Sequence, residues 1–163
     1  MEPRPPSQSR SELSRWMGIA DANIAGNVHG GIILHLCDEV AGIAAVRHSG
    51  ARVVTAAMDR MTFLNPVYVG DLVTVKSTVN ASWRSSMEVG VRVEAENVRT
   101  GQVTHTSTAY LTMVALDDEG SPVRIPPTRA ETPEEQRRGR EAQLRRDNRL
   151  EERRRIEADR RDS

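Results

Sequence analysis

Aromatic side chains are scarce: two tryptophans, two tyrosines and one phenylalanine make up 3% of the chain. A core with so few large rings has to be filled by aliphatic residues, and valine-rich stretches between 52 and 116 supply them. There is one cysteine, Cys37, so no disulfide can close within the chain, and a reducing compartment fits. Neither sign of charge dominates. With 23 basic and 23 acidic residues the formal net charge is +0, which gives no electrostatic pointer to nucleic acid or a membrane surface. No apolar stretch of signal length follows the start "MEPRPPSQSR". The longest mostly apolar run, 30–46, is broken by His35, Asp38 and Glu39 and is short for a membrane span. A cytoplasmic protein without membrane insertion is the expectation.

The charges are unevenly spread. Residues 129–163 hold 12 of the 23 bases and 10 of the 23 acids, and few apolar side chains. Such a segment cannot bury a core. Three regions follow: a Pro-, Ser- and Arg-rich N-terminus, 1–10, expected to be disordered; one domain, 11–127; and a charged Arg/Glu-rich tail, 128–163, helical or disordered. In the tail, pairs such as Glu141 with Arg145 and Glu151 with Arg155 have i,i+4 spacing. That pattern reads as a solvated helix.

Within the domain, "ELSRWMGIA" (12–20) is compatible with a first strand, and "DANIAGN" has loop chemistry. From 31 to 48 the pattern is helical and apolar almost all round, the mark of a helix buried on most sides. Strand patterns follow at 52–64, 72–83, 86–98 and 103–116. Val73, Val75 and Val79 share one face, as do Met87, Val89, Val91 and Val93, and "RTGQ" reads as a hairpin turn. Short turns make neighbouring strands antiparallel. One helix on such a sheet is an α+β arrangement. A single helix leaves much of a broad sheet bare, so a partner subunit is expected to cover the rest.

The helix poses a chemical question. Asp38 shares its face with Leu34, Ala41, Gly42 and Ala45, and a carboxylate in apolar surroundings is costly unless something compensates. The loop before it ends in "NVHGG". Free N–H groups at a helix N-terminus favour negative charge, and Gly30 and Gly31 have no side chains to keep a ligand oxygen away. Their amides form a candidate oxyanion site. Seven residues separate Gly31 from Asp38, roughly 10 Å of helical rise, so one carbonyl cannot touch both within a chain. Two such helices lying antiparallel across a two-fold axis would bring the N-terminus of one to the Asp38 of the other and build two composite sites.

The stretches "DANIAGNVHGGIILHLCDEVAGIAA", "VVTAAMDRMTFLNPVYVGDLV" and "RSSMEVGVRVEAENVRTG", with the spacing D-x-N-x-x-G-(x)3-GG-(x)6-D, resemble the hotdog-fold acyl-CoA thioesterases. The group is the one related to brain acyl-CoA hydrolase and the bacterial YciA-type enzymes, and the resemblance covers 13–127. It implies a long antiparallel sheet wrapped around a central helix, double-hotdog dimers that assemble further into hexamers, and hydrolysis of acyl-CoA to a fatty acid and CoA. It maps the group's functional asparagine and acid onto Asn23 and Asp38. Asp38 is then general base or nucleophile, and Asn23 positions water or the thioester. No cofactor or metal is implied, since coenzyme A is part of the substrate and product. "WRSSME" offers Arg84 for phosphate, with Ser85 and Ser86 for hydrogen bonds, and His29 could face the thioester. Asn27 rivals Asn23, and Glu39 rivals Asp38. His35 and Glu39 are spaced to bind each other, His105 reads as structural, and Cys37 lacks an evident base. Rival functions are a hotdog dehydratase acting on acyl thioesters and a non-catalytic CoA- or acyl-binding regulator.

Overall fold

The computed structural model describes residues 1–162. Six strands form one antiparallel sheet: β1 (Ser11–Trp16), β2 (Arg52–Met58), β3 (Thr62–Phe63), β4 (Asp71–Ser82), β5 (Ser86–Asn97) and β6 (Gln102–Leu116). Two helices, α1 (Gly30–Ser49) and α2 (Pro133–Asp162), complete the chain. The order across the sheet is β1-β4-β5-β6-β2, and β3 pairs with β6 beyond the end of β2.

Alternation along the long central strands decides which way the sheet curls. Met87, Val89, Val91 and Val93 of β5 lie on one face, all at most 1% exposed, beside Val73, Val75 and Val79 of β4. Leu111 and Met113 of β6 continue that face. Bulges at Val79/Ala81 and Val93/Glu94 add twist, so the strands wrap α1, which packs against β1, β2, β4, β5 and β6. The helix buries Ile33, Leu36, Cys37, Val40, Ala41, Ala44 and Ala45 in the wrap.

Here the expectation of a helix buried on most sides needs correction. Leu34, Ile43 and Val46 are 36 to 46% exposed, and the side chains of Asp38 and Glu39 are exposed as well. The apolar period ran all round because one face meets the sheet while the other faces outward from the chain. That open face adjoins β2, the last strand in the sheet order, which has β6 as its partner on one side.

The expected single strand at 52–64 is two strands. β2 ends at Met58, residues 59–61 break away, and β3 rejoins β6 at Ser107 and Thr108. Residues 1–10, expected to be disordered, pack in place. Pro6–Ser9 form a 3-10 turn, and the buried Ser9 hydroxyl donates to the Pro6 carbonyl and accepts from the Val79 amide. The Arg4 guanidinium donates to the His48 carbonyl at 2.8 Å, satisfying an end of α1 that has no partner of its own.

The charged tail is a solvated helix only in its second half, where 151–161 are exposed; its first half is packed in place. From Pro133 it is one helix lying on the outer face of the sheet, with Ala142 fully buried. Glu88, on the outward face of β5, is also fully buried and accepts two hydrogen bonds from Arg145, at 2.7 and 3.0 Å. Asn80 donates a third at 3.0 Å, and the Arg145 guanidinium stacks 3.6 Å above the Tyr110 ring. A Cβ at Gly90 would come within 2.6 Å of the Asn80 amide nitrogen, so the bare glycine makes room for this network.

Candidate active site

The loop between β1 and α1 folds back on itself before the helix begins. Asp21, 5% exposed, accepts from the Gly18 amide and from Arg15, while its carbonyl accepts the His29 amide. Above this anchor, 22–28 makes a small hairpin. Asn23 exchanges backbone bonds with Asn27 and Gly26, and its side-chain oxygen accepts the Ala25 amide at 2.9 Å. That leaves the Asn23 side-chain NH2 without a partner among the described residues and exposed to solvent. Gly26 sits at φ +85°, the left-handed conformation that lets the tip turn. Asn27, the rival, bridges Tyr68 through its backbone.

His29 is the N-cap of α1. Its Nδ1 accepts the Gly31 N–H at 3.0 Å, which places the proton of the neutral ring on Nε2. A Cβ on Gly31 would meet that ring nitrogen at 3.1 Å, so the second glycine serves the cap. The expectation that both glycine amides stand open is therefore corrected: Gly31 is occupied by its own N-cap, and Gly30 alone has an amide with no acceptor among the described residues. The Phe63 ring walls this corner, 3.6 Å from where a Gly30 Cβ would lie.

Asp38 emerges on the open face of α1, not in an apolar pocket. Its Oδ1 accepts the hydroxyl of Thr55, on β2, at 2.5 Å. Sequence reasoning did not single out Thr55. It stands 17 residues from Asp38 and becomes its neighbour only because the edge strand lies beside the helix. Glu39 is paired with His35 at 3.5 Å. Cys37 is fully buried, and burial, followed by the Asp38 charge, pushes its thiol up to about 12, which leaves it without nucleophilic thiolate. His105 ties Ser107 and Thr108 within β6. Among the described residues no cluster of three candidate ligands could hold a metal ion.

Arg84, Ser85 and Ser86 lie at the opposite end of the chain's own wrap. Ser86 pairs with Val114 and Phe63 with Ser107, so about seven residues of β6, or roughly 23 Å, separate the hairpin from the Gly30 corner. Within one chain the hairpin and the corner do not meet. The hairpin gains a second cation from the tail: Arg146 reaches the Ser86 hydroxyl at 3.4 Å and stacks on Trp83, whose indole N–H donates to Gln143. Arg146 is a further residue that sequence reasoning missed, because nothing in the tail's composition marks which arginine reaches the hairpin.

The chain can thus present a carboxylate steadied by a hydroxyl, an open helix N-terminal amide, an unpartnered carboxamide and a basic hairpin. It cannot bring all of them together by itself.

Comparison with known proteins agrees with this geometry. Residues 25–102 match the Thioesterase superfamily. The cytosolic acyl coenzyme A thioester hydrolase of Rattus norvegicus is 35% identical over 139 residues, 84% of this chain. The chain spans about a third of the length of that relative, 36%. An apo-hexameric acyl-CoA thioesterase superposes with a TM-score of 0.90 at 36% identity, covering 93% of this chain and 97% of the other. The acyl-CoA hydrolase of Staphylococcus aureus, solved with butyryl coenzyme A and coenzyme A, superposes with a TM-score of 0.83 at 33% identity, covering 95% and 97%. Variants of that enzyme have also been solved with alanine replacing an asparagine, an aspartate and a threonine, spaced 15 and 17 residues apart. Sequence and fold together place this chain in the Thioesterase superfamily, as a hotdog-fold member of its acyl-CoA hydrolase group.

Proposed function

We propose that the protein hydrolyses acyl-CoA thioesters at composite sites built by two copies of the chain. The observation that carries this reading is the Asp38–Thr55 pair, held at 2.5 Å on a helix face that the single chain leaves open. Asn23, Asp38 and Thr55 also have the residue types and the 15- and 17-residue spacings of the positions replaced in the Staphylococcus aureus variants. Packing the exposed side chains of Leu34, Ile43 and Val46 against a second α1, antiparallel, removes them from water. The same move carries each Asp38 toward the other chain's Gly30 corner.

Water is added across the C–S bond, giving a carboxylic acid and the CoA thiol. Asp38 takes a proton from water as general base, or attacks the thioester carbon directly and is released by water in a second step. A positioned base contributes typically ~10²–10⁴-fold. The Gly30 N–H, at the positive end of α1, receives the developing oxyanion, a contribution of ~2.7–4 kcal/mol for one such donor. The free NH2 of Asn23 holds water or the carbonyl. His29 acts first through the helix cap and presents its Nε2–H outward. Arg84, Ser85, Ser86 and Arg146 offer charge-assisted and hydroxyl contacts to the phosphates of coenzyme A. The assembly is a homodimer that associates further to a hexamer, in the cytoplasm, with no cofactor beyond the coenzyme A of substrate and product.

Thiol release from acyl-CoAs of graded chain length tests the reading. Wild-type protein releases CoA steadily, and Asp38→Asn abolishes turnover while the oligomer persists on size-exclusion chromatography. Near-normal turnover by Asp38→Asn removes Asp38 from the mechanism.

A further inference from the structure

A second cavity, about 600 Å³, lies on the outer face of the sheet, between α2 and strands β4, β5 and β6. It shares no residue with the Asp38–Gly30 chemistry. Its size falls in the range of small-ligand sites, and its charge is lopsided. Seven cations line it against three acids, Glu12, Glu134 and Glu141.

Each ion pair at the walls can be traced. Arg137 pairs with Glu141, and Arg138 with Glu134. Arg145 is committed to the buried Glu88 behind the wall. Lys76 and Arg92 share one carboxylate, Glu94, at 3.2 and 2.7 Å. Arg10 and Arg47 have no acidic partner among the described residues. Even with Glu12 counted against them, about two positive charges remain unbalanced, which matches the charge of a phosphate group near neutral pH.

One of the two surplus guanidiniums is already fixed. Arg47 donates to the Arg10 carbonyl and to the Ser11 hydroxyl, the latter at 3.1 Å. A held guanidinium loses less freedom when it forks onto an anion. Arg10 itself is exposed, and among the described residues its guanidinium makes no hydrogen bond or ion pair, so it is available. Beneath the cavity, Asn80 is 5% exposed; its nitrogen donates to Glu88, and its side-chain oxygen, an acceptor open to a ligand O–H or N–H, has no partner among the described residues.

We propose that this cavity is a binding site for a small phosphorylated ligand, separate from the hydrolytic site, with Arg10 and Arg47 taking the phosphate. The ligand is a free phosphometabolite such as a nucleotide.

Calorimetric titration of the intact oligomer with inorganic pyrophosphate, ADP and coenzyme A, each repeated with sodium sulfate as competitor, tests this. Saturable binding of pyrophosphate or ADP that Arg10→Glu weakens at least tenfold, while Asp38→Asn leaves it unchanged, supports the site. The exposed Arg10 side chain makes no hydrogen bond or ion pair among the described residues, so Arg10→Glu is not expected to unfold the chain; circular dichroism and Arg10→Gln, expected to give a smaller loss, guard that point. Binding of coenzyme A alone that follows Arg10 makes the cavity part of the substrate's own site and overturns a separate one. Binding equalled by sulfate, insensitive to Arg10→Glu, or absent because another subunit closes the cavity, overturns the proposal. None of these outcomes depends on whether Asp38 hydrolyses thioesters.

Discussion

Gly30 permits an unusually clean test of the composite site. It is the first residue of α1, where proline is favoured and an N–H has no partner inside the helix. His29 before it lies at φ −63° and ψ 130°, an extended conformation that a following proline accepts. A Cβ at position 30 would meet the Phe63 ring at 3.6 Å, an ordinary contact. Gly30→Pro therefore deletes one amide donor with little cost to the fold. Losing one oxyanion donor should lower kcat by ~10²–10³. Asp38→Asn deletes the carboxylate and should inactivate as well. If the two groups act across the dimer, co-expressing both variants restores activity. A mixed dimer joins the intact Asp38 of the Gly30→Pro chain to the intact Gly30 of the Asp38→Asn chain, and its other site carries both lesions. Random pairing makes half the dimers mixed, so about a quarter of all sites should be active by isologous symmetry. Thiol release from the co-expressed protein, purified without selecting for mixed dimers, reads this directly. Mixed protein no more active than the average of the two single variants, with both variants folded and dimeric, refutes the shared site. A Gly30→Pro rate equal to wild type refutes the role given to the amide.

Other consequences are narrower. Thr55→Val keeps the shape of the side chain and removes the hydroxyl that holds Asp38; a hydrogen bond to a charged group is worth ~1.5–3 kcal/mol, so kcat should fall roughly tenfold or more with KM little changed in steady-state kinetics. Arg145→Met strands the fully buried Glu88; breaking a buried pair costs ~3–5 kcal/mol, so Tm should drop by about 6 °C or more in calorimetry, and the double variant Glu88→Leu with Arg145→Met should recover much of it. His48 is buried with its Nε2 against the Pro126 carbonyl, and burial lowers its pKa from 6.5, with Arg4 lowering it further. The folded chain holds a neutral ring while the unfolded chain takes up a proton. This contribution to stability is therefore complete above pH 6.5 and lost as pH falls below it. Melting scans between pH 7.5 and 5 should show a decline that His48→Gln flattens.

Much of the fold was legible because β4 and β5 alternate cleanly: Val73, Val75 and Val79, then Met87 to Val93, report their inward face by spacing alone. The same rule does not find the burial of Glu88. An acid at an outward position of a strand reads as solvent-facing, yet α2 covers it. That helix was invisible as a packing element because it docks largely through ions. Hydrophobic periodicity finds helices that bury an apolar stripe, and α2 buries Ala142 while anchoring Arg145 to Glu88 and Arg149 to Asp59. The N-terminal ten residues were misread for a related reason. Pro and Ser composition suggests disorder, but Ser9 and Arg4 are held by bonds to Val79 and to the end of α1, partners that sequence spacing cannot supply.

At the site, Asn23 was marked by the resemblance to the hotdog-fold thioesterases, while Gly30, Gly31 and Asp38 were readable from the local chemistry of a loop entering a helix. The occupied Gly31 amide was not, since it depends on the ring orientation of His29. Nor was the real setting of Asp38. A carboxylate in an apolar helix period suggested a desolvation cost carried by the folded chain, but here the group is exposed and that cost is absent from folding. In the proposed pair the cost falls on association instead, when a second α1 excludes water from the open face. The Thr55 hydroxyl already lies 2.5 Å from the carboxylate before that happens, so a compensating bond is in place when the solvent leaves. An acid that is cheap to fold and becomes desolvated only on assembly ties catalytic competence to the oligomer, which is why dilution below the dimer's dissociation constant should silence the enzyme without unfolding it.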